Sequence, residues 1–199
     1  YYARVNFKSV CDIVDAVGGI TVVSDRAFSS RYGLDSRTWH SYKKGENVLD
    51  GDAALAYARE RKAFAEGDRL RGKHQQQVIE AVVKKAISPK SLTNTDNVEK
   101  LIKAVSNNTK TNFAVKEIKK LISYQLGTMN KEWSFESMSV DGRGASRYTY
   151  SYPRQKLYVM EPNQETVEEA KAAIKSVMEG NPLPGEETTS NTSSTASMN

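Results

Sequence analysis

Val10, Ile13, Val14 and Val17 recur at the three-to-four-residue spacing of an amphipathic helix, which predicts a helix over residues 8–17. Gly18-Gly19 follows as a left-handed stop. The β-branched run Ile20-Thr21-Val22-Val23 then predicts a short strand, and helix, Gly-Gly, strand is an αβ unit of a layered α/β domain. Residues 24–47 show no periodicity and mix Arg26, Arg31, Arg37, Tyr32, Trp39 and Tyr42, so they read as a long surface loop. Asp50 is placed to cap a short helix through Ala53, Ala54, Leu55, Ala56 and Tyr57, with Gly51 and Asp52 in its first turn.

Val78, Ile79, Val82, Val83 and Ala86 form the apolar stripe of a longer helix that stops near Ser88-Pro89, because the residue before proline is pushed out of helical geometry. Two more amphipathic helices are predicted. Residues 96–105 carry Val98, Leu101, Ile102 and Val105, and residues 114–126 carry Val115, Ile118, Leu121, Ile122 and Leu126, with Asn107-Asn108 and Thr111-Asn112 as punctuation. Trp133, Phe135, Met138 and Val140 alternate as a strand, and Asp141-Gly142-Arg143-Gly144 reads as a turn. Residues 148–160 read as extended, with Tyr148, Tyr150 and Tyr152 on one face and a break at Pro153. A last helix over residues 165–178 turns Val167, Ala170, Ile174 and Val177 inward. Residues 1–180 thus form the folded part, and residues 181–199 are too polar to bury anything and read as a flexible Ser/Thr-rich tail.

The 199 residues, 38% hydrophobic and 27% charged, belong to an ordinary globular protein rather than a disordered one. No stretch approaches the ~18 consecutive apolar residues that span a bilayer. Lone Cys11 sits on an apolar helical pattern and reads as a buried structural thiol, which excludes a disulfide framework or a multi-cysteine zinc site within the chain. Twenty-nine Lys and Arg against 24 Asp and Glu give a net charge of +5, a mild bias toward anionic partners. The chain opens Tyr1-Tyr2-Ala3-Arg4, without Met or a signal peptide, and reads as a cut chain whose targeting element lies upstream.

The densest chemistry lies in YARERKAFAEGDRLRGKHQQQ, residues 57–77. Arg59 and Arg61 leave a helix on an extended segment, where alternate side chains share a face. Two convergent guanidinium groups call for a counter-charge, and their planar forks match phosphate oxygens, so a phosphate or pyrophosphate is indicated. Gly67-Asp68 places a small residue and an N-cap candidate before the next helix, whose amide groups also favour anions. Arg71 and Gln75, four apart, share a face of that helix. The competing reading is a solvated charged face in which Glu60, Glu66 and Asp68 pair with the arginines. Asp68 is either a helix cap or a carboxylate that orients an arginine or accepts a proton. His74 reads as an exposed helix residue and is left out of the site, and His40, beside Trp39, has no ligand partner. The tyrosine row reads as a half-buried strand face, with a nucleotide-stacking platform as its alternative.

With VNFKSVCDIVDAVGGITV, KKGENVLDGDAALAYARER, EGDRLRGKHQQQVI and TYSYPRQKLYVMEPN, most of residues 1–178 resembles the LytR-CpsA-Psr family of cell-wall glycopolymer transferases. The resemblance implies an extracytoplasmic, layered α-β-α sandwich with a mixed central sheet, incomplete here because the N-terminal part of the domain is absent. It implies a membrane anchor through an upstream helix, and transfer of a polyprenyl-pyrophosphate-linked glycan, of teichoic-acid or capsular type, to a peptidoglycan hydroxyl with release of polyprenyl phosphate. By position Arg59 and Arg61 are similar to the family's paired pyrophosphate-binding arginines, Asp68 to its Gly-Asp carboxylate, and Arg71 with Gln75 to the polar pair on the next helix. A magnesium-type ion is expected on aspartates of the missing upstream segment, and a companion chain is expected to carry that half. The assignment names no nucleic-acid partner; a non-catalytic anionic-polymer or nucleic-acid-binding module is the alternative.

Overall fold

The computed structural model describes residues 2–64, 67–93, 95–128, 135 and 137–181, the side chains of residues 95, 97 and 105–108 excepted. The chain divides into two units, Tyr1–Phe135 and Glu136–Asn199. In the first unit the order is β1 (Ala3–Val5), α1 (Phe7–Ala16), β2 (Ile20–Ser24), β3 (Phe28–Ser30), β4 (His40–Tyr42), β5 (Gly45–Leu49), α2 (Gly51–Arg59), α3 (Gly67–Ala86), α4 (Pro89–Leu92), α5 (Thr95–Asn108), β6 (Thr109–Thr111) and α6 (Val115–Gly127). The second unit contains β7 (Gly142–Thr149), β8 (Tyr152–Pro162) and α7 (Gln164–Glu179).

The α/β class is as expected. Among the described residues the strands pair two by two and every ladder is antiparallel, β1 with β6, β2 with β5, β3 with β4 and β7 with β8. The mixed central sheet of the sequence reading is therefore not assembled from these strands, and the second edge of each pair is left without a neighbour among the described residues.

Capping explains where the first helices begin and end. The Asn6 side chain accepts the Ser9 amide at 2.8 Å while Ser9 Oγ accepts the Asn6 amide at 3.2 Å, a reciprocal cap for α1. Gly18 and Gly19 end α1 at φ of 77° and 79°, a region open to glycine without strain. Asp50 caps α2 by accepting the Ala53 amide at 2.9 Å. Val14, Val17, Ile20, Val22, Tyr42, Leu49, Ala54, Tyr57 and Val78 then bury into one cluster from α1, α2, α3 and three strands. Cys11 is buried, and burial raises its thiol to about 11, which keeps it protonated and structural.

Several expectations are corrected. Residues 24–47 are not a structureless loop: they hold β3, β4 and most of β5, strands of three to five residues that are too short to print a period on the sequence. Residues 107 and 108 end α5 rather than separating elements, and Thr111 lies in β6. On α3 Val78 is buried but Ile79 is exposed, and Val115, Leu121 and Leu126 of α6 are also exposed.

In the second unit Gly142 and Gly144 lie inside β7, not in a turn. A Cβ at Gly142 would strike the Glu161 carbonyl oxygen, and one at Gly144 would come within 2.7 Å of the Tyr158 hydroxyl, so these glycines permit close cross-strand approach. The turn falls instead near Tyr150, which puts Tyr148 and Tyr152 on different strands. The three rings do not share a strand face, and none is half-buried: Tyr148, Tyr150 and Tyr152 are all exposed. Pro153 lies within β8 without breaking it. On α7 the buried residue is Ala173, while Ile174 and Val177 are exposed. Residues 137–140 form no strand, and Trp133 and the tail at 182–199 lie outside the described residues.

Candidate functional site: a cationic cavity at the end of helix α2

An aromatic floor comes first. Tyr57, buried on α2, lies 4.2 Å from the His74 ring, and Phe28 stacks on His74 at 5.3 Å with planes 6° apart. Phe64 meets Phe28 edge-on at 5.1 Å. The Tyr57 hydroxyl donates to Gln77 Oε1 at 2.8 Å, and Gln77 Nε2 donates to the Val23 carbonyl at 3.0 Å, so α2, α3 and β2 are tied at one point. His74 is thus a buried packing residue rather than an exposed one. Burial lowers its pKa, and its Nδ1 has no hydrogen-bond partner, so the ring is held neutral.

Beside this floor α2 ends at Arg59 and the chain runs extended through Glu60, whose ψ is 129°. Glu60 is buried and does not pair with an arginine: its Oε1 accepts the Lys62 amide at 2.6 Å and the Ala63 amide at 2.9 Å, and so shapes the exit segment. Glu66, the second acidic residue weighed for pairing, lies outside the described residues.

A cavity of about 440 Å³ opens here, lined by Phe7, Tyr32, Arg59, Arg61, Lys62, Arg71 and Gln75. Arg59 is held in place on two sides. Its Nη1 donates to the Tyr32 carbonyl at 2.6 Å and the Gly33 carbonyl at 3.2 Å, and its guanidinium lies 4.1 Å from the Phe7 ring centroid. Asp68 lies in the first turn of α3. It does not line the cavity; it pairs with Arg71 Nη2 at 2.5 Å and approaches Arg61 Nε at 3.9 Å, which aims both cations.

The structure therefore brings Arg59, Arg61, Arg71 and Gln75 to one cavity, with Asp68 behind two of them. The sequence reading missed Lys62, Tyr32 and Phe7. Lys62 was legible only as one more charge in a charged run, while Phe7 and Tyr32 arrive from distant segments. It also missed Asp52, whose carboxylate accepts the Leu34 amide at 2.5 Å and pairs with His40 Nε2 at 2.8 Å. His40 is therefore a strand residue with a carboxylate partner, not an unpartnered loop residue.

Four cations and one amide around a small cavity have the chemistry to hold a multiply charged anion, since guanidinium forks pair with phosphate oxygens two at a time. The same lining does not fit a divalent cation, and among the described residues no three His, Cys, Asp or Glu are gathered to hold a metal ion.

This is a cation-lined cavity on an α/β scaffold, and comparison with known proteins places the chain more narrowly. The LytR_cpsA_psr family matches residues 1–173, and the chain belongs to that family. It is 42% identical over 112 residues to the polyisoprenyl-teichoic acid–peptidoglycan teichoic acid transferase TagU of Bacillus subtilis (strain 168), an alignment that takes in 56% of this chain and 33% of that protein. The TagU of Bacillus licheniformis is 41% identical over the same length, 33% of its own chain. The chain thus spans about a third of the curated relatives it matches. The crystal structure of B. subtilis TagV superposes with a TM-score of 0.67 and 26% identity, over 91% of this chain and 65% of that one. B. subtilis TagU gives 0.57 and 27% over 93% and 65%, and TagT bound to LI-WTA gives 0.57 and 25% over 85% and 56%.

Proposed function

We propose that this chain supplies the pyrophosphate-binding half of an extracytoplasmic, membrane-anchored phosphotransferase that attaches a polyprenyl-pyrophosphate-linked glycopolymer to peptidoglycan. The supporting observation is the convergence of Arg59, Arg61, Lys62 and Arg71 on one cavity, in a family whose similar members carry teichoic acid transferase names. No helix among the described residues is long and apolar enough to cross a membrane.

In the reaction a peptidoglycan hydroxyl oxygen bonds to the phosphorus that bears the glycan. The bond from that phosphorus to the bridging oxygen breaks, polyprenyl phosphate leaves, and the hydroxyl proton is released to solvent. Such a transfer asks little covalent chemistry of the protein and much positioning and charge neutralisation. Arg59, fixed by two carbonyl groups before any ligand arrives, is preorganised for this, and reorganisation is what it saves. Arg61 and Arg71 take the remaining phosphate oxygens while Asp68 holds them in place, a positioning role. Gln75 donates its amide. The magnesium ion implied by the family resemblance would take its ligands from outside these residues.

Isothermal titration with inorganic pyrophosphate tests the binding reading. The intact protein is expected to bind it, and Arg59→Ala or Arg71→Ala to weaken binding at least tenfold while the far-ultraviolet circular dichroism stays that of the folded protein. Equal affinity in both variants would discard the assignment.

A further inference from the structure

A second cavity, of about 410 Å³, adjoins the first through two shared residues, Tyr32 and Lys62. Its remaining lining is Ser29, Arg31, Trp39, Glu60 and Ala63. The character differs from that of its neighbour: one exposed indole replaces the cluster of guanidinium groups. Trp39 is 62% exposed, and the Arg31 guanidinium lies 5.6 Å from its ring centroid. Hydroxyl and cationic groups rim it, and the Ser29 hydroxyl, on β3, lies 3.0 Å from that of Ser41 on β4.

The indole is not on a loose loop. Residues 31–39 are fastened by Arg59 at the Tyr32 and Gly33 carbonyls, by Asp52 at the Leu34 amide, and by the His40 to Asp52 bond just after Trp39. Inside the loop Asp35 accepts both the backbone amide and the Nε of Arg37, at 3.0 and 3.1 Å. A platform held this way loses little freedom when a ligand settles on it.

We infer that this second cavity is a saccharide subsite, in which the apolar face of a pyranose ring rests on Trp39 while its hydroxyl and acidic substituents meet Arg31, Lys62 and Ser29. An amphipathic aromatic face framed by hydrogen-bonding groups suits a sugar, which is apolar on its faces and polar around its edge. The cations add a preference for sugars with carboxylate or phosphate substituents. Because Lys62 and Tyr32 belong to both cavities, the sugar lies next to the diphosphate, and the inference rests on that reading of the first cavity. The ring belongs either to the peptidoglycan acceptor or to the first sugar of the donor.

The test is fluorine NMR of the intact protein labelled with 5-fluorotryptophan, with the Trp39 resonance assigned by its loss in Trp39→Phe. Two probes are titrated: an undecorated peptidoglycan tetrasaccharide of alternating N-acetylglucosamine and N-acetylmuramic acid, and UDP-N-acetylglucosamine. A Trp39 shift with the tetrasaccharide alone supports the inference and assigns the acceptor; a shift only with the sugar diphosphate supports it and assigns the donor. Calorimetry should show the responsive probe bound at least tenfold more weakly by Trp39→Ala and by Arg31→Ala, with Trp39→Phe within about threefold of the native protein. A Trp39 resonance that neither probe moves overturns the inference. Inorganic pyrophosphate, titrated into Trp39→Ala, reads the first cavity separately: its binding should be unchanged there, and failure to bind even the native protein would overturn the diphosphate reading alone.

Discussion

The units Tyr1–Phe135 and Glu136–Asn199 use similar residue types to different ends. In the first, Val14, Ile20, Tyr57 and their neighbours form a continuous buried cluster, and four cations converge over its edge. In the second, the buried side chain on α7 is Ala173, and Arg143 and Arg147 each pair with Glu161 on the hairpin surface. Cations become a site where a packed floor gathers four of them around one carboxylate, Asp68, and where each meets a carboxylate in solvent they remain a solvated face.

The largest effect expected from this contrast is on the proposed transfer. Arg59→Ala should lower the rate about 10² to 10³-fold, the scale of losing one preorganised charge-stabilising group, while Arg143→Ala leaves it unchanged. A membrane assay of polymer attachment to peptidoglycan measures both, and comparable losses would erase the distinction. Next is stability: Ile20→Ala, in the buried cluster, should cost about 2 to 5 kcal/mol in urea unfolding, whereas Val177→Ala on the exposed side of α7 should stay within about 0.5 kcal/mol.

Gly33→Ala should cost about 1 to 3 kcal/mol, because the added Cβ lands on the Asp52 carboxylate that fastens the Trp39 loop. Thermal melting reads the loss, and an unchanged melt would mean that the loop yields easily. The smallest effect is on acid stability. Burial depresses His74 below its ordinary 6.5, so between its folded and unfolded pKa values the unfolded chain binds the extra proton. The contribution is complete above pH 6.5 and is lost progressively as pH falls toward the folded value. Urea unfolding at pH 7.5 and 5.5 should show that decline, and His74→Phe should flatten it.

What the sequence showed depended on how local the cause was. Asp50 and Gly18-Gly19 act within a few residues, and both mark helix ends as read. The convergence of Arg59, Arg61, Arg71 and Gln75 was legible because they lie on two adjoining elements within 17 positions, so helix and strand periods alone bring them close. Tyr32 and Phe7 reach the same cavity from 27 and 52 residues before Arg59, and no local pattern signals that. Gly142 and Gly144 were misread because a glycine needed for cross-strand clearance looks, in sequence, like one needed for a turn. The stripe on α7 failed differently. Periodicity marks which side of a helix is apolar, but only a packed neighbour buries that side, and in this unit Ala173 rather than Ile174 meets it.

Helix α2 carries Asp52 near its beginning and Arg59 at its end, seven positions apart, which is about two turns and hence one side of the cylinder. Both grip the segment that presents Tyr32 and Trp39. The helix therefore acts as a ruler of about 10 Å between the two grips, Asp52 and Arg59. Removing a single alanine from its middle would swing one grip about 100° away from the other, so the spacing of the two anchors is set by an integer number of residues rather than by a flexible hinge.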